Sequence, residues 1–277
     1  MAKAKYGRPL LRKSSTPSST LILALFLLFS VLVLILLALG IVSIPSINPS
    51  ASHQVNDLSS IVHNAVHRAD HVSKERDQQW VELLSWEPRA FVYHNFLSKE
   101  ECEYLIKLAS PRMEKVRTSS GTFLARGRDK IIRTIEQRIA DFTFLPVDHG
   151  EGLQVLHYEV GQRYEPHFDY FLEDYSTANG GQRIATVLMY LSDVEEGGET
   201  VFPSAKGNIS AVPYWNELSK CGKEGLSVKP NRGDALLFWS MKPDASLDPL
   251  SLHGGCPVIK GNKWSATKWI RVNAYHS

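Results

Sequence analysis

The 277-residue sequence predicts an α+β fold: a double-stranded β-helix, or jelly roll, with N-terminal supporting helices, preceded by a single transmembrane helix. Three observations lead there. Residues 21–44 contain no charged side chain, are dominated by Leu, Ile, Val and Phe, and are long enough to cross a bilayer. Helical patterns follow near residues 99–109 and 130–142. After them, residues 153–159, 184–191, 234–239 and 265–272 are short runs rich in Val, Leu, Thr and aromatics, separated by Gly, Pro and Asn clusters. Helices first and strands afterwards read as α+β, with the strands closing as a double-sheet roll.

Ahead of the apolar run stand Lys3, Lys5, Arg8, Arg12 and Lys13 with no acidic residue, so the positive-inside rule keeps residues 1–20 in the cytosol. The run is longer than the apolar stretch of a cleaved signal peptide, about 7–15 residues, so it reads as a signal anchor of a single-pass type II protein. The chain beyond it is expected in the lumen of the endoplasmic reticulum, the Golgi or both. Residues 45–79 form a polar stem. In it Leu58, Val62, Ala65, Ala69 and Val72 fall on one helical seam, too short to assert a coiled coil. His63, His67 and His71 recur every four residues and fit a solvated helix face better than a metal site.

The folded domain is expected over residues 80–277. Phe91-Val92-Tyr93 has strand character, and Ser98 with Glu101 makes a capping box for a helix whose buried stripe is Cys102, Leu105, Ile106 and Ala109. Ile131, Ile132, Ile135 and Ile139 mark the second helix. The polar connection at residues 111–129 shows no periodicity and is expected to be a mobile lid. Cys221 and Cys256 flank the loop-rich stretch around His253 and are expected to form a disulfide in an oxidising lumen, with Cys102 left as a buried thiol. Asn208-Ile-Ser210 is the usable glycosylation sequon, since Asn48 precedes Pro49. The formal charge of +2 is evenly spread with no basic stripe, which excludes nucleic acid as a partner.

In Tyr164-Glu-Pro-His-Phe-Asp-Tyr170 the histidine and aspartate are two apart, and extended backbone sends both to one face, where they can share a metal. The candidate third ligand is His253 in Ser251-Leu-His-Gly-Gly255. Two histidines and a carboxylate on one side of iron leave positions open for a co-substrate and dioxygen, although zinc accepts the same donors. Lys263 lies ten residues beyond His253, on a strand that would carry its ammonium towards the pocket, where it could anchor a dicarboxylate.

These residues in these spacings resemble the iron(II) and 2-oxoglutarate dioxygenases, and among them the plant-type prolyl 4-hydroxylases. The resemblance extends from about Trp86 to the C-terminus. It is carried by Val116-Arg-Thr-Ser-Ser-Gly-Thr122, Tyr164-Glu-Pro-His-Phe-Asp-Tyr-Phe171, Glu195-Glu-Gly-Gly-Glu-Thr-Val201, Gly233-Asp-Ala-Leu-Leu-Phe-Trp239 and Lys263-Trp-Ser-Ala-Thr-Lys-Trp269. It implies that His167, Asp169 and His253 hold Fe(II), and that Lys263 pairs with the distal carboxylate of 2-oxoglutarate in a pocket lined by Tyr158 and Trp269. It implies further that Tyr164 and Arg183 contact the substrate proline, that the loop from Arg117 to Phe123 closes over the peptide, and that O2 and ascorbate are used. The implied reaction is 4-hydroxylation of proline in proline-rich secretory proteins such as cell-wall hydroxyproline-rich glycoproteins. Arg271 departs from the pattern, where a histidine is expected, and this bears on peptide preference. Alternatives of other kinds are the same iron centre acting on another residue or ligand, and a non-catalytic metal-containing binding module. A homo- or hetero-oligomer is left open.

Overall fold

In the computed structural model the described residues are 27–29, 79–116, 119–173 and 177–276. Residues 27–29 are helical and exposed. The cytosolic tail, the rest of the expected anchor, and the stem up to residue 78 with its seam and its three histidines lie outside the described residues. Among those described, no helix is long and apolar enough to cross a membrane.

From residue 80 the chain forms β1 (Trp80–Trp86), β2 (Arg89–His94), α1 (Lys99–Ala109), β3 (Glu114–Val116), β4 (Ser119–Leu124) and α2 (Lys130–Thr143). There follow β5 (Leu153–Tyr158), β6 (Tyr164–His167), β7 (Arg183–Tyr190), β8 (Glu196–Gly197), β9 (Thr200–Phe202) and β10 (Leu226–Val228). The last strands are β11 (Ala235–Trp239), β12 (His253–Gly255), β13 (Val258–Lys260) and β14 (Lys263–Arg271). The major sheet has the order β1-β2-β11-β7-β14-β5-β4-β3, the minor sheet β10-β9-β12-β6, and β13 pairs with β8.

The strand expected at residues 91–93 is β2, which pairs with β1 as a hairpin ahead of α1, and one predicted feature is corrected. The stretch expected as a lid supplies β3 and β4 to the edge of the major sheet, with β4 in register on β5 from Ser120↔His157 to Leu124↔Leu153. Its Ser, Gly and Thr residues hide the apolar alternation of a strand, yet Ser119, Gly121 and Leu124 are buried, since small side chains suffice where backbone pairing does the holding. Arg117 and Thr118 lie outside the described residues.

The helices cover one face of the major sheet. Ser98 accepts from the Glu101 amide, and the Glu101 carboxylate accepts from the Ser98 amide at 2.9 Å, which starts α1. Asp129 accepts from Ile132 N at 2.9 Å and starts α2. Cys102, Leu105 and Ala109 from α1 and Ile132, Ile135 and Ile139 from α2 then pack on Val187, Met189, Ala266 and Ile270. A second core, with Tyr190, Phe202, Leu226 and Phe238, lies between the major and minor sheets. β14 serves both sides, because side chains alternate along a strand. Ala266, Lys268 and Ile270 face the helices, where Lys268 Nζ meets the Glu136 carboxylate at 2.6 Å with both side chains buried. Lys263, Ser265, Thr267 and Trp269 face the opposite way.

Cys221 and Cys256 form the expected disulfide, with Cα atoms 5.8 Å apart. Cys102 is a buried free thiol, and burial pushes its pKa up to about 12.

At the β1–β2 edge, the His94 ring lies between Asp234, 2.9 Å from Nδ1, and Glu82, 3.1 Å from Nε2, and stacks on Trp80 at 4.0 Å. Burial disfavours the imidazolium, but hydrogen bonds to Asp234 and Glu82 and their charges outweigh it and raise the His94 pKa to about 9. A raised pKa contributes stability that is complete below the unfolded value, about 6.5, and is lost as pH rises through 9. Chemical denaturation of wild type and His94→Gln should therefore show a stability gap of about 1 kcal/mol near pH 6, after solvent screening, that shrinks by pH 9.5. A gap independent of pH would contradict the charged assignment.

Candidate metal centre

Antiparallel pairing of β6 with β12 sets His167 directly opposite His253, with ring centroids 4.4 Å apart. Each ring is fixed through Nδ1, His167 by the Glu165 carbonyl and His253 by the Ser251 carbonyl, both at 2.9 Å. Those acceptors require the proton on Nδ1 and leave both Nε2 lone pairs free. Both point at the buried Asp169 carboxylate: His167 Nε2 is 3.6 Å from Oδ1 and His253 Nε2 is 3.6 Å from Oδ2. The three donors lie within 4.8 Å of one another.

Asp169 is braced by Thr186 of β7, whose hydroxyl donates to Oδ2 at 2.6 Å. Burial alone would raise its pKa, but His253, His167 and the Thr186 hydrogen bond hold the carboxyl well below the usual carboxylate range. Burial pushes the His253 pKa down, which keeps the ring neutral. Two imidazoles that can each offer Nε2 and one ionised carboxylate on one side of a cavity fit an Fe(II) ion that keeps positions open for other ligands.

The donors form one end of a cavity walled by Gln154, Leu156 and Tyr158 of β5 and the inward face of β14. Lys263 is also in its wall. Its Nζ is buried, donates to the Gly198 carbonyl at 2.7 Å, and lies 5.7 Å from the Tyr158 ring centre and 5.6 Å from that of Tyr190. Burial pushes its pKa down to about 8, with Glu199 opposing the shift. Trp269 lines the same cavity and its Nε1 is buried without a hydrogen-bond acceptor, so a ligand oxygen can take it.

The resemblance-implied residues divide by position. Tyr158 and Trp269 are in the cavity wall, and Tyr164 is too, tilted against His167 with centroids 4.2 Å apart. Arg183 is not in that wall. Its guanidinium grips Glu151 at 2.7 and 2.9 Å and stacks on the Trp269 ring at 3.8 Å. Arg271 also donates to Glu151, at 2.6 Å, and to the Gly181 carbonyl at 2.8 Å. A bulge pairs Ile270 with Ala185 and Arg271 with Arg183, which turns both arginines to one face where Glu151 separates their charges. Thr186, Glu151 and Glu199 were not singled out from the sequence. Continuing the alternation of β14 from Lys263 to Trp269 would have found Ser265 and Thr267 as well, whereas nothing local marks Glu151.

The chain was compared with known proteins. The 2OG-Fe(II) oxygenase superfamily matches residues 153–271. The sequence is 66% identical over 290 residues to a protein named probable prolyl 4-hydroxylase 10 of Arabidopsis thaliana, covering 99% of each. It is 63% identical over 248 residues to prolyl 4-hydroxylase 5 of Arabidopsis thaliana, covering 84% of each. The crystal structure of a viral collagen prolyl hydroxylase from Paramecium Bursaria Chlorella virus-1, a 2OG complex, matches with a TM-score of 0.52 and 29% identity over 66% of this chain and 94% of that one.

Thr186→Val keeps the shape of the side chain and removes the hydrogen bond that orients Asp169. Fe(II) affinity, measured by metal titration, should fall about 10-fold while the fold is retained. An unchanged affinity would show that Asp169 is held without Thr186.

Proposed function

We infer the working of the site from one premise: this chain belongs to the prolyl 4-hydroxylases of the 2OG-Fe(II) oxygenase superfamily. It hydroxylates proline with Fe(II), O2 and 2-oxoglutarate. Bound Fe(II) would supply the oxidising chemistry, with O2 as the oxidant: one oxygen atom enters succinate as the keto acid loses carbon dioxide, and the other becomes the hydroxyl at proline C4. Our reading of the residues follows. His167, Asp169 and His253 hold the iron, and the observation that carries this is their cross-strand convergence with both Nε2 atoms free. Lys263 binds the distal carboxylate of 2-oxoglutarate, supported by a buried ammonium whose own hydrogen bond goes to a carbonyl. Tyr158 and Trp269 wall the same pocket, the latter offering its Nε1 proton.

The substrate is a proline-rich polypeptide. Polyproline II chains arrive extended and suit aromatic surfaces, which Tyr164 and the exposed Phe123 beside Trp269 provide. Tyr164 touches the target proline. Arg183 acts on the same side, and its stacking on Trp269 supports that place. The pocket walls would orient the proline C4 hydrogen and limit water at the reacting atoms once the peptide is bound. Residues 21–44 anchor the protein in the endoplasmic reticulum or Golgi membrane with the domain in the lumen. The charge pattern of the sequence and the Cys221–Cys256 disulfide support this, because disulfides persist in that compartment. Ascorbate keeps the iron reduced, and cell-wall hydroxyproline-rich glycoproteins are the substrates we favour. Asn208 is exposed, as a glycan acceptor must be.

The test is incubation of the protein with Fe(II), 2-oxoglutarate, ascorbate and proline-rich peptides, scoring added oxygen by mass spectrometry. Failure on every peptide would overturn the substrate assignment. Lys263→Ala should raise the 2-oxoglutarate requirement about 30-fold with iron still bound, and Lys263→Arg should restore part of it. His167→Ala and Asp169→Ala should abolish turnover and lower iron content. A carboxylate favours the ammonium form, which the empty pocket loses above about pH 8, so wild-type affinity for 2-oxoglutarate should fall as pH rises through 8.

A further inference from the structure

Glu199 is buried to 2% exposure at the turn before β9, in a protein where few carboxylates are so deep. It makes no ion pair among those found between the described residues. Its two oxygens accept from the amide of Ser219 at 2.7 Å and from the Ser219 hydroxyl at 2.9 Å. The Ser219 hydroxyl also accepts from Gly222 N at 3.0 Å, so serine, glycine and carboxylate form one clamp. The clamp is tight: a Cβ placed on Gly222 would come within 3.0 Å of Glu199 Oε1. The loop that carries it is closed by the Cys221–Cys256 disulfide, and Cys256 N donates back to the Glu199 carbonyl at 2.8 Å. Immediately before Glu199 stands Gly198, at φ +69°, whose carbonyl receives the Lys263 ammonium. A left-handed backbone at that residue aims its carbonyl, and any loosening of Glu199 would swing it.

We propose that Glu199 is a positioning residue of the co-substrate pocket: held by Ser219 on the disulfide-closed loop, it fixes the Gly198 carbonyl against Lys263 Nζ and, one residue on from that carbonyl, sets a buried carboxylate whose charge acts on the lysine. The inference rests on the reading of Lys263 as the 2-oxoglutarate anchor. The rings nearest that ammonium are Tyr158 from β5 and Tyr190 from β7; Tyr164 of β6 lines the same cavity, and Glu199 in the turn before β9 is the carboxylate whose charge acts on it. Both nearer tyrosines are buried, and burial pushes their hydroxyls above the ordinary tyrosine range, so they stay neutral through the range in which Lys263 titrates. The charge of Glu199 favours the charged lysine, against the effect of burial. A bound dicarboxylate takes over this duty, so Glu199 matters most to the empty pocket.

Glu199→Gln keeps an oxygen for Ser219 and removes the charge. Binding of 2-oxoglutarate to the manganese-loaded, full-length protein should be measured by calorimetry from pH 6.5 to 9.5, with Lys263→Ala in parallel. Near pH 6.5, wild type and Glu199→Gln should bind within about threefold of each other, since the lysine is protonated in both. The alkaline loss of affinity should begin about one pH unit lower in Glu199→Gln, and Glu199→Asp should restore part of the shift. An alkaline limb unmoved in a folded Glu199→Gln overturns the proposal. If that variant does not fold, Ser219→Ala replaces it: about a fivefold weaker 2-oxoglutarate affinity with unchanged manganese binding supports the clamp, and an unchanged affinity overturns it. Should Lys263→Ala itself leave affinity unchanged, the pocket assignment fails. If Lys263→Ala weakens binding while Glu199→Gln does not move the limb, only the role of Glu199 is lost.

Discussion

Strict alternation along β14 is the constraint on which the site depends. Lys263 and Lys268 are five residues apart, an odd number, so one strand buries two ammonium groups on opposite faces of the sheet. Neither can stay charged in the interior without an anionic or polar partner. Lys268 has its partner in the chain, the Glu136 carboxylate at 2.6 Å, and the pair ties α2 to the sheet. Lys263 donates to the Gly198 carbonyl and has no ion pair among those found between the described residues, which fits the ligand-binding role proposed for it. The same strand thus carries a structural lysine and a receptive one, and a one-residue slip in its register would exchange their surroundings.

The metal-binding half obeys a parallel rule. His167 and His253 meet because β6 and β12 are antiparallel neighbours, and Asp169 completes the set two residues beyond the end of β6. Rigid backbone acceptors orient both rings, so the donors are arranged before any ion arrives. Preorganisation of this kind lowers the entropy that ligation must overcome. Thr186 reaches the same carboxylate from the major sheet, which makes the centre a joint between the two layers of the roll rather than a feature of either.

The His-x-Asp spacing was legible because period two is a geometric property of extended chain, and His253 became legible only beside it. Both helices were legible through their caps and apolar stripes, which are local signals. The hairpin β3–β4 was not, since Ser119-Ser-Gly-Thr122 carries no alternation and is held by its neighbours' backbone. Arg183 was legible as a residue of interest but not by position: the bulge at Ile270/Arg271 decides which way it turns, and a bulge leaves no mark in composition. Glu151 pairs with residues 32 and 120 positions away, a contact that no local pattern encodes.

That bulge has an electrostatic outcome. It brings Arg183 and Arg271 onto the single carboxylate of Glu151, with the Arg183 guanidinium 3.8 Å from the centre of the Trp269 indole. Peptide bonds preceding proline offer oxygens, and proline itself has no N–H to offer in return. A chain made of such bonds is a ribbon of acceptors. A guanidinium stacked on the Trp269 ring is a donor group beside the cavity wall, the chemical complement of a backbone that only accepts.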